Sequence, residues 1–549
     1  MGLAAGLAAG LAVGLAAVTL VPVVALVGSS ERSGGYSRQD AEFSSLPPAR
    51  LVELVAPDST GQSQGFVPAA RWIAEPGLDG RPLSRSVYLG ASVFALVLLA
   101  FARGERRPLM LGAAALVALA LALGRYLPVH AVFRWVVFPF AYMRSPEKYL
   151  VLLVGCLALL AGLGGARLLQ AERQPWRRVA VFLGLMVLLA ATAPCFFPEG
   201  WDRHVRKGAL VGATAVLGVL VCQLLAARRS RLLPVALVFV VAVDLAAAIW
   251  EIQDFSHRGI SLVPGTATAR VLADSRGQAG PPRLYRAHSV LQHAGLFLPA
   301  PPPGWNELWL LQSFVPNTPN RWGIATLPGY DAAIPAKLDQ IWKSGLSQGQ
   351  SLLRLLGARY AIMPVRDPTA EDRRIGFEPM LDPLPGTRLY RIPHSLPRVY
   401  LASRVEQVDD AVALRRLFEP AVIAGQTALL APGSQERLPE NGDGDAGICT
   451  LDTYGNNRLQ ATCEARRPAL AVFVEQFEKG WKAYVDGRPA PLLRANLIMR
   501  ALVLEAGRHT IRMEYHAPGL IPGLVFTLLS SIAMLGLWCW GARTDRRRP

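Results

Sequence analysis

Residues 228–250 read RRSRLLPVALVFVVAVDLAAAIW, and this stretch decides the fold. A hydrocarbon core about 30 Å thick is crossed by about 20 apolar residues in a helix. From Leu232 to Trp250 the only charge is Asp244, and Arg228, Arg229 and Arg231 stand immediately before the run. That is the pattern of a membrane-spanning helix with a basic entry. Working outward, comparable or nearly comparable runs occupy 3–27, 87–102, 109–124, 149–165, 179–197, 208–227 and 520–541. The second and third of the eight are short and extend into their flanks. Soluble core helices are rarely this apolar all round. The sequence therefore predicts a polytopic α-helical membrane protein with about eight transmembrane helices. Residues 251–519 have soluble composition and read as a large extracytoplasmic α+β region ending in a β-sandwich-like domain.

The formal charge of +17 invites a nucleic-acid reading, but its placement argues against one. With residue 1 inside, the inner loops are 103–108, 166–178 and 228–231, with the tail after 541. They carry Arg103, Arg106, Arg107, Arg167, Arg173, Arg177, Arg178, Arg228, Arg229, Arg231, Arg543 and Arg546 to Arg548. Only Glu105, Glu172 and Asp545 oppose them. This is the positive-inside bias over four segments, so the charge marks topology and the C-terminus is expected in the cytoplasm.

The expected organisation is a membrane bundle of about seven helices over 1–250, an α+β region over 251–431 and a flexible connector at 432–447. A β-rich domain follows over 448–516, then the last helix and basic tail at 517–549. The first run lacks the basic start and the short core of a secretory signal, so it reads as a true span. Gly2, Gly6, Gly10 and Gly14 give it one flat face suited to close packing. An Ala/Gly-rich stretch without a specific partner would look the same. An uncharged helix of this kind is read as a sign that further chain precedes it.

Cys156, Cys195, Cys222 and Cys539 fall in or beside helices as small packing residues. Cys449 and Cys463 flank Tyr454-Gly455-Asn456-Asn457 and are equidistant from 456, so a hairpin turning there would set them opposite each other. An oxidising compartment permits a disulfide, and the register leaves bonded and free states equally open.

Few motifs carry chemistry. Gly345-Leu346-Ser347-Gln348-Gly349 has the G-x-S-x-G spacing, but helix-like sequence on both sides reads as a helix break rather than a nucleophile turn. The histidines form no zinc spacing, and no phosphate-cradling glycine loop occurs. Asp244 inside a span implies a hydrogen bond to a neighbouring helix or a place in a polar cavity. The loop 125–148 gathers Arg125, Arg134, Arg144 and Lys148 among aromatics and prolines, as in an interfacial or re-entrant segment. These cations suit the phosphates of a lipid-linked substrate, or simply anionic headgroups.

Several of these stretches, taken in order, resemble the YfhO family of bacterial membrane proteins, placed with the GT-C glycosyltransferases. They include Leu46-Pro47-Pro48 with 51–57, Tyr142 to Leu150, Val243-Asp244-Leu245 and Leu396 to Tyr400. The most specific is Gly480-Trp481-Lys482-Ala483-Tyr484-Val485-Asp486-Gly487, running on through Arg494-Ala495-Asn496 to Ala506-Gly507-Arg508-His509. The resemblance implies sugar transfer from a polyprenyl-phosphate carrier to a cell-envelope glycan or lipid, outside the bacterial cytoplasmic membrane. It implies an acidic catalytic residue in the family's first outer loop. Glu31, Asp40 and Glu42 match no such motif, so the first span is expected to correspond to a middle helix of the family, with an upstream membrane half as partner. No cofactor is evident, and the complete enzyme leaves room for a divalent metal. Arg144 and Lys148 are the expected carrier-phosphate contacts, Arg125 the second choice, with Asp244 lining the same cavity. Trp481 and Tyr484 read as core positions before they read as a sugar platform. The rival class is a non-catalytic membrane scaffold whose outer domain binds envelope components.

Overall fold

A computed structural model describes residues 2–59, 84, 86–101, 105–170, 176–197, 201–228, 230–252, 263–278, 280–287, 290, 311–315, 317–329, 333–345, 348–365, 376–433 and 437–545. Arg103, Arg173, Arg229, Arg546 to Arg548, Ser347 and Asp331 lie outside them. The chain divides into one unit of Gly35–Phe255 and another of Met1–Gly34 with Ser256–Pro549.

Among the described residues five helices are long and apolar enough to cross a membrane: Pro146–Leu169, Trp176–Phe196, Trp201–Ala227, Leu233–Trp250 and Leu520–Gly541. A sixth candidate is the pair Gly6–Leu15 and Ala17–Gly28, bent by 73°. The expected runs 87–102 and 109–124 form the shorter helices Ala91–Ala100 and Arg106–Ala122. At 1.5 Å per residue the first of these reaches only about 15 Å. The molecule is thus a polytopic helical membrane protein with a β-rich region, with fewer full-length spans among the described residues than the hydropathy runs suggest.

The ten-residue helix Ala91–Ala100 is buried in the bundle, and side chains from other helices close both its ends. Asp244 accepts from the backbone N–H of Ser92 at 2.9 Å and from its hydroxyl at 2.5 Å. Arg167 donates to the carbonyls of Leu99 at 3.2 Å and Ala100 at 2.6 Å. An acid at the N-terminus and a base at the C-terminus match the helix dipole and satisfy orphaned backbone groups. Gly164 lets the helix Leu150–Leu169 press against it, because a Cβ there would lie 2.0 Å from the Leu96 carbonyl oxygen.

In the other unit the first helices pack along Leu520–Asp545. At the bend, Val18 donates its N–H to Thr527 Oγ1 at 3.0 Å, and that hydroxyl lies 3.2 Å from the Gly14 and Leu15 carbonyls. Broken membrane helices are tolerated where such side chains re-satisfy the backbone. Of the glycine stripe, Gly14 fits tightly against Ser530, whereas Gly6 and Gly10 face nothing within 4 Å.

The strand-rich part is a sandwich. A five-stranded sheet runs Arg488–Ala490, Trp481–Val485, Gly507–Tyr515, Arg458–Ala465, Gly447–Tyr454. It faces a six-stranded sheet of Val399–Ala402, Ala469–Gln476, Met499–Leu504, Leu493–Ala495, Thr427–Leu430 and Arg404–Gln407. Leu401, Phe473 and Leu502 of one meet Leu459, Ile511 and Met513 of the other. Alternating apolar residues make these inner faces. The sandwich therefore recruits three strands from before residue 431. Cys449 and Cys463 pair in register and form a disulfide. The helices Ala336–Gly345 and Gln350–Leu355 flank Ser347.

Candidate functional site

Three backbone segments knit together at the end of the bundle formed by residues 35–46, 122–126 and 141–149. Tyr36 donates its N–H to the Ala141 carbonyl, Leu46 to Ala122, Ser145 to Ala41 and Glu147 to Ser44, at 2.9–3.2 Å. Gly124, at φ +50°, is required here: a Cβ would meet Ser45 Oγ at 2.1 Å and Pro146 Cγ at 2.7 Å. A side chain at 124 would wedge the three segments apart.

Beneath them lies a buried ion cluster that sequence reading missed. Arg50 is fully buried, with Glu53 1% and Glu147 3% exposed. The Arg50 guanidinium donates to Glu53 at 2.9 Å, to Glu147 at 3.1 Å and to the Ser84 carbonyl at 3.2 Å. The Ser84 hydroxyl also reaches Glu147, and the Val87 N–H lies 3.4 Å from Glu53. Two carboxylates facing one guanidinium would leave a net buried negative charge. Burial pushes the Glu53 carboxyl up, against the opposing pull of Arg50, so it holds its proton more tightly than an ordinary glutamate. In sequence, Arg50 and Glu53 look like an ordinary i, i+3 surface pair in a polar loop. The signal was the place of Glu53 inside the apolar run Leu51-Val52-Glu53-Leu54-Val55, with Arg50 at its edge.

The ion cluster fixes Glu147, and with it the chain positions of its neighbours Arg144 and Lys148. Arg144 is half-buried, its guanidinium 5.9 Å from the Tyr36 ring centre and 5.8 Å from that of Phe43. Ring faces hold a cation in place without consuming its N–H donors. Arg125 donates to the Glu42 carbonyl at 3.1 Å, and Arg134 to the carbonyl of Tyr36 at 2.5 Å. Three of the four expected cations therefore converge on residues 36–43, with Lys148 exposed nearby in chain order. Arg144 makes no hydrogen bond among the described residues; the donors of Arg125 and Arg134 are partly spent on carbonyls.

His130 sits beside this group, 1% exposed, with its ring 5.9 Å from that of Tyr149. Neither ring nitrogen has a partner among the described residues, and burial lowers its affinity for a proton. The helix Val129–Val136 turns Val132, Trp135 and Val136 outward, with Trp135 88% exposed. An amphipathic helix with an exposed Trp suits a membrane interface.

Asp244 is held elsewhere, by Tyr88 and Ser92, and is 4% exposed. Its carboxylate serves the helix Ala91–Ala100, the packing role open to it from sequence. Trp481 is covered on one face by Arg500, whose guanidinium lies 3.7 Å from the ring centre, and Tyr484 stacks under Arg512. Neither ring offers an open platform on those faces. No group of three or more His, Cys, Asp or Glu side chains is placed to hold a metal among the described residues.

Residues 450–527 match the family described as bacterial membrane protein YfhO. No curated protein and no solved structure matches the chain. The matched segment runs from the disulfide-linked hairpin through the sandwich into the first turns of the last helix. Over residues 450–527 this membrane protein is similar to the family described as bacterial membrane protein YfhO.

Proposed function

We propose that this protein takes part in GT-C-type transfer of a sugar from a polyprenyl-phosphate carrier to a cell-envelope glycan or lipid. The observation that carries the reading is Arg144, set between two aromatic rings with its donors unspent among the described residues, near the anchored Glu147 and Lys148. A guanidinium so presented suits bidentate contact with a phosphate. Arg125 stands behind it as a second contact. The reading places this protein in the bacterial cytoplasmic membrane, with the sandwich outside and the C-terminus in the cytoplasm. The arginine-rich segments between helices support that orientation.

A second reading has its own support. Glu42, Glu53, Asp58, Glu147 and Asp244, the buried acids among the described residues of the bundle, all hold internal hydrogen bonds. A scaffold that binds envelope components needs no free catalytic acid. Replacing Arg144 and Lys148 by alanine in the native host separates the two. Loss of the glycan modification with normal protein abundance supports transfer, and unchanged output removes the phosphate-binding proposal.

A further inference from the structure

A cavity of about 550 Å³ lies where the first helix pair meets the sandwich, wholly within the unit formed by residues 1–34 and 256–549. Its size falls in the range of ordinary small-molecule sites. One wall is Pro22 to Leu26 with Gly28, on a helix whose Val23, Val24 and Leu26 are exposed. The other wall is polar: Ser29, Glu478, Lys479 and Tyr515, with Ala517 and Pro518 closing the end. The apolar wall belongs to a candidate membrane span, and the polar wall to the turn before strand Trp481–Val485. The cavity thus joins hydrocarbon-facing surface to a pair of opposite charges adjacent in sequence.

We infer that this cavity binds an amine-bearing zwitterionic phospholipid. Lys479 faces the phosphate, Glu478 the ammonium, and the helix 22–28 an acyl chain. The pair of charges selects the head group. A lone lysine would favour any anionic lipid, but Glu478 penalises a head group without a cation. Glu478 accepts from Ser29 Oγ at 3.2 Å and from Gln476 Nε2 at 3.4 Å. A carboxylate has about four acceptor positions, so both bonds leave room for ammonium N–H donors. A quaternary choline cannot donate to them. Gly480, at φ +110°, holds the turn, because a Cβ there would lie 2.4 Å from the His516 carbonyl oxygen. The inference does not depend on sugar transfer.

The test uses the full-length protein in nanodiscs of equal phosphatidylethanolamine, phosphatidylcholine and phosphatidylglycerol, with retained lipid counted by native mass spectrometry. Phosphatidylethanolamine should be retained over phosphatidylcholine by roughly threefold to fivefold, the worth of one partly exposed ion pair. Glu478→Gln should abolish that preference, and Lys479→Gln should lower retention of all three lipids. Equal retention of the two zwitterionic lipids by the unaltered protein overturns the inference, as does a preference that survives Glu478→Gln.

Discussion

Arg50 has no exposed surface, so its hydrogen bonds to Glu53, Glu147 and Ser84 must replace an entire hydration shell. Removing one partner of a buried charge cluster leaves the rest uncompensated. Arg50→Ala should therefore destabilise the bundle by about 3–5 kcal/mol, read as a fall in thermal midpoint in detergent. Glu53→Gln should cost no more than about 1 kcal/mol, since the amide oxygen can still accept from Arg50. Its carboxyl binds a proton more tightly in the folded chain than in the unfolded one. The associated stability is complete at pH below the ordinary glutamate range and declines as pH rises through the higher folded value. A Glu53→Gln melt series should lack that decline, and an unchanged pH profile would refute the assignment. Asp244 was legible as a lone acid in an apolar run. Its partners Tyr88 and Ser92 were not, because they lie 156 and 152 positions away.

Between residue and fold, the short helix Ala91–Ala100 shows what hydropathy can and cannot read. Its apolarity is plain in the sequence, but its length falls short of a crossing because Gly90 and Phe101 lie outside the helical turns. Capping by Asp244 and Arg167 stabilises it in place. Asp244→Ala should strip the cap and leave the Tyr88 and Ser92 hydroxyls without an acceptor, costing about 1–3 kcal/mol. Hydrogen exchange confined to residues 88–95 would record this; uniform exchange would not fit. Close packing follows a similar lesson. The Gly2 to Gly14 stripe predicts one packing face, yet further close contacts in the bundle fall at Gly208 and Gly212. A Cβ at these positions would lie 2.3 Å from the Pro57 and 2.5 Å from the Val55 carbonyl oxygens. Their Gly-x-x-x-Gly spacing was present in the run 208–227 but pressed against a loop rather than a helix. Gly212→Val should lower the melting temperature by several degrees, whereas Gly10→Val should leave it unchanged, because Gly10 faces open space.

At the scale of the whole molecule, composition separated helical from soluble segments because the bilayer demands long apolar runs. Strands near 458–465, 468–475, 481–485, 499–504 and 509–515 were legible from alternation and turns, but the short strands Arg488–Ala490 and Leu493–Ala495 were not. The hairpin centre placed the two cysteines opposite each other. The recruitment of Val399–Ala402, Arg404–Gln407 and Thr427–Leu430 into the same sandwich was not legible, since strand pairing across 70 residues leaves no local pattern. The proposed orientation makes a simple demand. In a background lacking Cys195 and Cys539, a cysteine at exposed Asn456 should react with an impermeant maleimide in intact cells. One at exposed Gln170 should react only after permeabilisation, and the opposite pattern would invert the topology.

The cationic cap over residues 35–46 and 122–149 is the heart of the functional account, and carrier binding probes it most directly. Full-length protein in proteoliposomes should bind polyprenyl phosphate well above the uncharged polyprenol. Replacing Arg144 and Lys148 by alanine together should weaken that binding roughly tenfold or more, the worth of at least one charge-assisted hydrogen bond. Equal binding of phosphate and alcohol, or undiminished binding by the folded double variant, would contradict the account.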